Sequence, residues 1–204
     1  MTAARLLIAD DDRIILATLA EDLSEQGYSV RTASNGEEAL AACRQDAPDL
    51  AILDIRMPVM GGIDAARLIR AECDTATLFL SAYSDRDLVE LAVAEGAQGY
   101  LVKPITIEKL TPAIDAAIAR GRELREAKMA QSHMTQALQA KREVDIAVGL
   151  LLERFNLNRE HAFEVLRRLA RSRNRKLADI AGALVECSEL FTDAQQISLE
   201  LRGK

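Results

Sequence analysis

Charged side chains follow three short apolar runs in the first half of the chain. The first run ends in an acidic trio, the second in a single carboxylate and the third in a lysine; these residues are Asp10–Asp12, Asp54 and Lys103. A carboxylate can attack a phosphoryl donor when nearby cations neutralise the negative charge of the transferring group. If the three runs are parallel strands, their carboxyl ends bring these side chains together. The spacing therefore predicts a site for a divalent metal ion and a phosphoryl group.

Each of these side chains has a role in such a reaction. Asp54 is the expected phosphoryl acceptor, and Asp11 and Asp54 are expected to ligate Mg²⁺, which prefers oxygen ligands and keeps several waters. Asp10 would act on the metal ion mostly through water. Lys103 would neutralise one phosphoryl oxygen, and the hydroxyl of Ser81, which ends a further apolar run, can donate to another. Taken alone, the acidic trio could equally cap a helix in solvent, and Ser81 could be a turn hydroxyl.

The elements that must position these residues alternate along residues 1–105. Short apolar runs predict five strands, at Leu6–Ala9, Ser29–Ala33, Leu50–Leu53, Thr77–Leu80 and Gly99–Val102. Amphipathic stretches between them predict helices at Ile14–Glu25, Glu37–Arg44, Ile63–Glu72 and Leu88–Glu95. This alternation, with a third strand that is apolar throughout, is typical of an α/β fold with a doubly wound, five-stranded parallel sheet. Ligands bind beyond the carboxyl ends of the strands in such sheets, which is where the charged side chains lie.

The second half of the chain is predicted to be helical. All four prolines lie at or before Pro112, and few glycines interrupt the rest. A long linker helix is expected to begin between Ile107 and Thr111, and three further helices are expected at Arg142–Phe155, Arg159–Ser172 and Leu177–Phe191. One apolar stripe on each of these three helices predicts a small all-α three-helix bundle. The predicted domains are therefore 1–120, a helical linker 121–140 that leaves a coiled coil open, and 141–204.

Charge divides the chain in the same way. The 204 residues carry a net charge of −6, with 18 acidic and 9 basic side chains (−9) in residues 1–105 and 5 acidic and 10 basic (+5) in residues 141–176. This asymmetry favours two modules with different partners. The three cysteines are far apart and odd in number, so a disulfide framework is not expected. The sequence also lacks a signal peptide pattern and an apolar stretch of membrane-spanning length, so we expect a cytoplasmic protein with no membrane partner.

The basic charge is concentrated where the second helix of the predicted bundle meets the third. The cluster comprises Arg167, Arg168, Arg171, Arg173, Arg175 and Lys176. No acidic residue lies between Glu164 and Asp179, so these cations repel one another unless a polyanion binds them. The alternative is a solvated face whose charge complements the dipole of the helix.

Residues 4–120 resemble the receiver domain of two-component response regulators. The resemblance rests on Ala9–Asp12, Leu53–Pro58, Ser81-Ala82, Gly99-Tyr100 and Lys103-Pro104, in this order and spacing. It implies a flavodoxin-like fold and phosphorylation of Asp54 by a cognate histidine kinase or another phosphodonor. It also implies that the backbone carbonyl of Arg56 binds the metal ion, that Ser81 closes over the phosphoryl group, and that Tyr100 then swings inward.

Residues 142–186 resemble the ANTAR domain, the RNA-binding output module of antiterminator response regulators. The matching positions are Ala147–Leu151, Ala162-Phe163, Leu166-Arg167, Ala170-Arg171 and Ile180-Ala181. The resemblance implies a homodimer, formed on phosphorylation, that binds paired stem-loops in leader RNA and prevents transcription termination. Arginine can both stack on RNA bases and contact phosphates. The expected RNA contacts are Arg168, Arg171, Arg173, Arg175 and Lys176.

Two other kinds of output stay open on the sequence alone. One is a DNA-binding bundle of the helix-turn-helix type, although a tight connection of that type is not evident at Asn156–Arg159 or Arg173–Lys176. The other is a bundle that docks onto a partner protein. Neither half carries the residues of a hydrolase or transferase, so the chain is not expected to be an enzyme beyond the phosphorylation and dephosphorylation of its own Asp54.

Overall fold

The chain forms two compact units that divide between Ala127 and Lys128. The computed structural model describes residues 3–82 and 86–188. The first unit contains the predicted phosphoryl site, and the second contains the predicted basic cluster. Each unit has buried hydrophobic clusters of its own.

The first unit is a five-stranded parallel sheet. Its strands are β1 (Arg5–Ala9), β2 (Ser29–Ala33), β3 (Leu50–Leu53), β4 (Ala76–Ser81) and β5 (Gly99–Val102). Their order in the sheet is β2-β1-β3-β4-β5, and every neighbouring pair is parallel. The connecting helices are α1 (Arg13–Glu25), α2 (Gly36–Gln45), α3 (Gly62–Cys73) and α4 (Arg86–Ala94). The strand order reverses at β1 and β3, so the ends of these two strands form the crevice where such sheets bind ligands.

An apolar layer covers each face of the sheet, because successive residues of a strand point to opposite faces. One layer joins the strands to α1 and to α5 (Ile107–Phe155), and the other joins them to α2 and α3. Members of the first layer include Leu6, Ile8, Leu19, Leu110 and Ile114, and members of the second include Leu7, Ala9, Leu40, Ile69 and Phe79. The central strands β3 and β4 are buried along their whole length, as parallel strands covered on both faces should be.

The predicted fold class is confirmed, and the predicted strands and first four helices match the observed bounds to within two residues. The second half differs from its prediction in one respect. Arg142–Phe155, expected as a separate helix, is continuous with the linker helix, so both belong to α5. Residues 137–142 read Ala-Leu-Gln-Ala-Lys-Arg. All six are strong helix formers, so nothing in this stretch ends the linker helix.

The second unit buries the last part of α5 against two shorter helical segments. These are α6 (Arg159–Ser172) and residues 177–188; the end of the predicted helix Leu177–Phe191 lies outside the described residues. Asn158 caps α6, with its side-chain oxygen accepting from the N–H of His161 at 2.8 Å. The buried cluster includes Ala147, Leu151, Ala162, Leu166, Ala170 and Ile180. None of the helices that the structure describes is long and apolar enough to cross a membrane.

Candidate functional site

Two carboxylates and one ammonium group meet at the carboxyl end of the sheet. Asp10 follows β1, Asp54 follows β3 and Lys103 follows β5. Lys103 Nζ donates to Asp54 Oδ1 at 3.0 Å and also pairs with Asp10 Oδ2. Both carboxylates are buried, since only 3% of Asp10 and 8% of Asp54 is exposed. The sheet thus joins three of the side chains that the sequence placed at strand ends.

Backbone groups fix the orientation of the two carboxylates. Asp54 Oδ2 accepts from the N–H of Arg56 at 2.9 Å, and Asp10 Oδ1 accepts from the N–H of Asp12 at 3.0 Å. The N–H of Asp54 itself donates to the carbonyl of Ala9 at 2.8 Å, which extends the pairing of β1 and β3. Every carboxylate oxygen of the pair therefore has a donor, so the site is preorganised by its own backbone.

Burial and ion pairing act on this site in opposite directions. Removal from water raises the pKa of Asp54, and this outweighs the hydrogen bond and positive charge of Lys103, which favour the carboxylate. Burial also acts to lower the pKa of Lys103, but the hydrogen bonds and charges of Asp10 and Asp54 outweigh it and raise that pKa. The charges that act on Lys103 are the two carboxylates, and both raise its pKa, whereas Asp54 is acted on by charges of opposite sign from Lys103 and Asp10. The lysine therefore stays protonated between the two carboxylates at neutral pH.

The acidic trio divides into three different environments. Asp10 is buried beside Lys103, whereas Asp11 is exposed. Asp12 is the N-cap of α1, and its side chain accepts from the N–H groups of Ile14 and Ile15 at 2.8 and 3.3 Å. The helix-cap role considered for the trio thus belongs to Asp12, and the prediction of metal binding concerns Asp10 and Asp11.

The oxygen atoms of the site fit a magnesium ion in their chemistry. Mg²⁺ is usually held by one or two carboxylates together with waters and phosphate oxygens, and Asp10 and Asp54 are two adjacent carboxylates. Among the residues described, no three histidine, cysteine or acidic side chains form a group that could hold a metal ion. Coordination by Asp10, Asp11, Asp54 and the carbonyl of Arg56 therefore stays a prediction.

The two predicted switch residues lie on the strands next to this site. Ser81 is the last residue of β4, is fully buried, and accepts from the N–H of Lys103 through its carbonyl at 2.8 Å. Tyr100 on β5 is half-buried and packs against the apolar layer under α2 and α3. Their movement on phosphorylation stays a prediction.

Gly62 is a residue of the site that sequence reasoning missed. A Cβ at this position would lie 2.0 Å from the carbonyl oxygen of Asp54, and the N–H of Gly62 donates to the carbonyl of Ile55 at 3.0 Å. The start of α3 therefore lies against the backbone of Asp54, the predicted phosphoryl acceptor, and only a glycine permits this approach. In the sequence, the pair Gly61-Gly62 is typical of a turn, and no local signal distinguishes a turn glycine from one at a close contact.

The basic cluster of the second unit lies on the end of α6 and the turn after it. The N–H groups of Arg173 and Arg175 donate to the carbonyls of Leu169 and Ala170 at 3.1 and 3.0 Å, and Asn174 adopts the left-handed conformation with φ of 50°. These features are the usual closure of a helix C-terminus. The predicted contacts Arg168, Arg171, Arg173, Arg175 and Lys176 are all exposed.

The cations of this cluster are not equivalent. Arg168 Nε pairs with Glu164 Oε1 at 3.2 Å. Arg167 instead lies over the ring of Phe163, with Cζ 5.0 Å from the ring centroid. Among the residues that the structure describes, the other four cations of the cluster have no carboxylate within 4.0 Å. Most of the positive charge is therefore available to an external anion.

Two family models match the chain, one in each half. The model described as response regulator receiver domain matches residues 6–115, and the ANTAR domain model matches residues 132–185. Transcriptional regulatory protein PdtaR of Mycobacterium tuberculosis is 38% identical over 183 residues, which is 89% of this chain and 89% of that protein. The similarity to PdtaR therefore extends well into the helical half.

Other relatives share a shorter part of the chain. Transcriptional regulatory protein PrrA of Mycobacterium bovis is 37% identical over 121 residues, covering 59% of this chain and 52% of that protein. Among solved structures, a response regulator receiver domain protein from Clostridium thermocellum superimposes with a TM-score of 0.55 at 35% identity. That alignment covers 59% of this chain and 98% of the solved chain. Both alignments therefore have about the length of the first unit.

Proposed function

Because this chain belongs to the response regulators that join a receiver domain to an ANTAR domain, we propose that phosphorylation of Asp54 controls RNA binding by its helical half. The chain is a signalling protein. The proposal adds a chemical input at the buried acidic site and a nucleic-acid output at the basic cluster.

The input reaction is the transfer of a phosphoryl group to the Asp54 carboxylate from a histidine kinase or a small phosphodonor. A lone pair on a carboxylate oxygen of Asp54 attacks phosphorus, the new O–P bond forms, and the bond from phosphorus to the leaving group breaks. The leaving group keeps the electron pair of the broken bond; a histidine ring then takes a proton from solvent, whereas the acetate released by acetyl phosphate stays ionised at neutral pH. Lys103 already lies 3.0 Å from Asp54 Oδ1, so it can neutralise a phosphoryl oxygen with little movement.

A magnesium ion would complete this site. Asp11 and Asp54 would hold it with the carbonyl of Arg56, and Asp10 would bind it through water; once bound, it supplies further charge neutralisation. After transfer, the Ser81 hydroxyl would donate to a phosphoryl oxygen and Tyr100 would turn inward. The buried ion pairs of Lys103 with Asp10 and Asp54 are the observation that carries this half of the proposal.

The output is the binding of leader RNA stem-loops and prevention of transcription termination. Support comes from the ANTAR match over residues 132–185 and from the exposed cations that follow α6. Cations contact RNA phosphates, and arginine planes can stack on unpaired bases. The proposed contacts include Arg171, Arg173, Arg175 and Lys176, with Arg168 contributing if it leaves Glu164.

A homodimer through the linker part of α5 would bring two such surfaces to paired stem-loops. Exposed apolar side chains recur there at heptad spacing, with Leu124, Met134 and Leu138 each more than half exposed. Ala127 and Gln131 occupy the intervening heptad positions. This spacing suits a second copy of the same helix, as in a coiled coil, although the polar Gln131 would weaken the seam.

DNA binding is the alternative output. DNA-binding response regulator MtrA of Mycobacterium leprae is 34% identical, but its alignment covers 57% of this chain, against 89% for PdtaR. The alignment with MtrA, over 116 residues, therefore has about the length of the receiver match at residues 6–115. This favours RNA over DNA as the proposed ligand.

The input is tested by incubating the chain with acetyl phosphate and Mg²⁺ and following its intact mass. We expect a gain of one phosphoryl group that is absent in Asp54→Asn. Asp12→Asn is the matched control, because Asp12 caps α1 and lies outside the ion pairs of Lys103. A phosphoryl group that persists in Asp54→Asn would contradict the assignment of the acceptor.

The output is tested by comparing two ligands of equal charge, an RNA with two adjacent hairpins and a DNA duplex. We expect tighter binding to the RNA, a further increase after phosphorylation, and loss of that increase in Asp54→Asn. Equal affinity for the DNA would contradict the proposed output and leave the input reaction untouched.

A further inference from the structure

Arg167 makes a contact that sets it apart within the basic cluster. Its guanidinium carbon lies 5.0 Å from the centroid of the Phe163 ring, within the range of a cation–π interaction. The two residues are four positions apart on α6, so they are neighbours on one face of the helix. Phe163 is half-buried and packs against the core of the second unit, whereas Arg167 is exposed. The core of the second unit therefore contacts the Phe163 ring, and the exposed guanidinium of Arg167 covers it on the solvent side.

Arg167 forms no ion pair with a carboxylate in the described part of the chain. Glu164, three positions earlier, pairs with Arg168 at 3.2 Å. No ion pair within 4.0 Å joins Arg167 to an acidic side chain among residues 3–82 and 86–188. Arg171 lies one turn further along the same face and is also exposed. A planar, prepositioned cation is thus followed by a second cation on the same side of α6.

We propose that Phe163 and Arg167 form a stacking platform for one unpaired RNA base, with Arg171 contacting an adjacent phosphate. This inference rests on the proposed RNA-binding function and names a contact within it. RNA-binding proteins stack unpaired bases on aromatic rings and on arginine planes. The ring of Phe163 already holds the guanidinium, so Arg167 loses less conformational freedom on binding than an unsupported arginine. The platform recognises a flat base that a double helix would not present.

Replacement of arginine by lysine separates stacking from charge. Lysine keeps the positive charge but lacks the planar group, so Arg167→Lys removes the platform and retains the phosphate attraction. Arg159→Lys is the matched control, because Arg159 is an exposed arginine on the same helix that pairs with Asp145 at 3.0 Å. Phe163→Leu removes the ring while keeping an apolar side chain against the core.

The experiment uses the full chain, treated with acetyl phosphate and Mg²⁺, and two RNA probes. One probe is a two-hairpin RNA selected from a pool with randomised loops, and the other is an RNA duplex of equal charge without unpaired bases. We expect Arg167→Lys to weaken hairpin binding about tenfold, with the salt dependence and the duplex affinity unchanged. Arg159→Lys should match the unsubstituted chain on both probes.

A fluorescent base analogue in the loops gives a second readout. Binding should quench 2-aminopurine at one loop position in the unsubstituted chain, and Arg167→Lys should abolish the quenching. Phe163→Leu should weaken hairpin binding as Arg167→Lys does; if it melts at a lower temperature, Arg167→Lys alone decides the result.

Two results would overturn the platform. If Arg167→Lys binds the hairpins as tightly as the unsubstituted chain, or loses equal affinity for hairpin and duplex, the platform is wrong and the proposed function stands. If the unsubstituted chain prefers neither RNA probe to a DNA duplex, or binds no nucleic acid, the proposed function fails and the platform fails with it.

Discussion

At the scale of single residues, the missing side chain of Gly62 allows the start of α3 to lie against the backbone of Asp54. A Cβ here would lie 2.0 Å from the Asp54 carbonyl oxygen, which leaves no room for any other residue. We expect Gly62→Ala to lower the free energy of unfolding by about 1–3 kcal/mol, because the start of α3 must move away from β3. Phosphorylation of Asp54 should slow by at least about tenfold as the carboxylate shifts. Urea unfolding and intact-mass kinetics measure the two effects.

Gly149 is the matched control for this substitution. It lies inside α5, and nothing lies within 4 Å of the position that its Cβ would take. Gly149→Ala should therefore raise stability by up to about 1 kcal/mol, the difference in helix propensity, and leave phosphorylation unchanged. A Gly62→Ala chain that behaves like Gly149→Ala would contradict the close contact.

Val59 is a strained residue in the loop between β3 and α3. Its φ is 67°, a left-handed conformation that is costly for a β-branched side chain, and 77% of the residue is exposed. We expect Val59→Asn to raise the free energy of unfolding by about 1 kcal/mol, since asparagine adopts this conformation more readily. Val102→Asn, in the extended strand β5, should lower it instead. Thermal unfolding of the two variants decides, and a loss of stability in Val59→Asn would contradict the strain argument.

At the scale of elements, the first half of the chain was predictable because most of its strands are short apolar runs, although β2, with the sequence Ser-Val-Arg-Thr-Ala, is not. Leu50–Leu53, for example, is apolar throughout and is buried throughout. The linker was less predictable, because propensity does not show where one helix ends and the next begins unless a breaker intervenes. Residues 137–142 contain no glycine or proline, so α5 continues to Phe155. The sequence also did not show which polar side chains pair in the folded chain. Arg168, for example, was predicted to contact RNA, but it pairs with Glu164.

A hydrogen bond joins α5 to Tyr28, the residue that precedes β2. The hydroxyl of Tyr28 donates to Asp115 Oδ1 at 2.6 Å. Burial, the hydrogen bond and the charge of Asp115 together raise the pKa of Tyr28 from 10.0 to about 12. A raised pKa means that the folded state holds the proton more tightly, so the stabilisation is complete below pH 10 and is lost as the pH rises through about 12.

The Tyr28→Phe variant tests this pH dependence. It should be about 1 kcal/mol less stable than the unsubstituted chain at neutral pH, and the difference should shrink between about pH 10 and pH 12. Urea unfolding midpoints of both chains across this range measure it. A difference that stays constant up to pH 12 would mean that Tyr28 is not held by Asp115.

At the scale of the whole molecule, the two units have separate cores. The layer that includes Leu110, Ile114, Ala117 and Ile118 completes the first unit with the beginning of α5. We therefore expect residues 1–127 alone to fold and to be phosphorylated at a rate within about twofold of the full chain. A fragment of residues 1–105 should not fold, because four buried side chains at roughly 1–3 kcal/mol each are comparable to the whole stability of a domain. Circular dichroism and acetyl phosphate labelling of both fragments test this.

The cysteines report on the two units independently. Cys43 is 1% exposed in the second apolar layer of the sheet, and its burial raises the pKa of its thiol to about 12. Cys187 is exposed in the second unit. Because a thiol reacts as its thiolate and only when it is reached, Cys187 should be alkylated rapidly in the folded chain, and Cys43 only when the first unit unfolds. Pulsed alkylation with peptide mass spectrometry measures both rates, and rapid labelling of Cys43 under native conditions would contradict the packing of α2.

The position of β1 inside the sheet, between β2 and β3, has a consequence for the order in which the chain folds. β1 emerges during synthesis before its partner β3, which begins at Leu50, and the apolar layer that covers β1 also requires Leu110 and Ile114 of α5. Pairings between distant residues are slow to form, whereas α6 and the helical residues after it meet neighbours nearby in the chain. During synthesis, the unit with the longer conformational search therefore leaves the ribosome before the unit with the shorter search. The sheet can therefore begin to form before the helices of the second unit are synthesised.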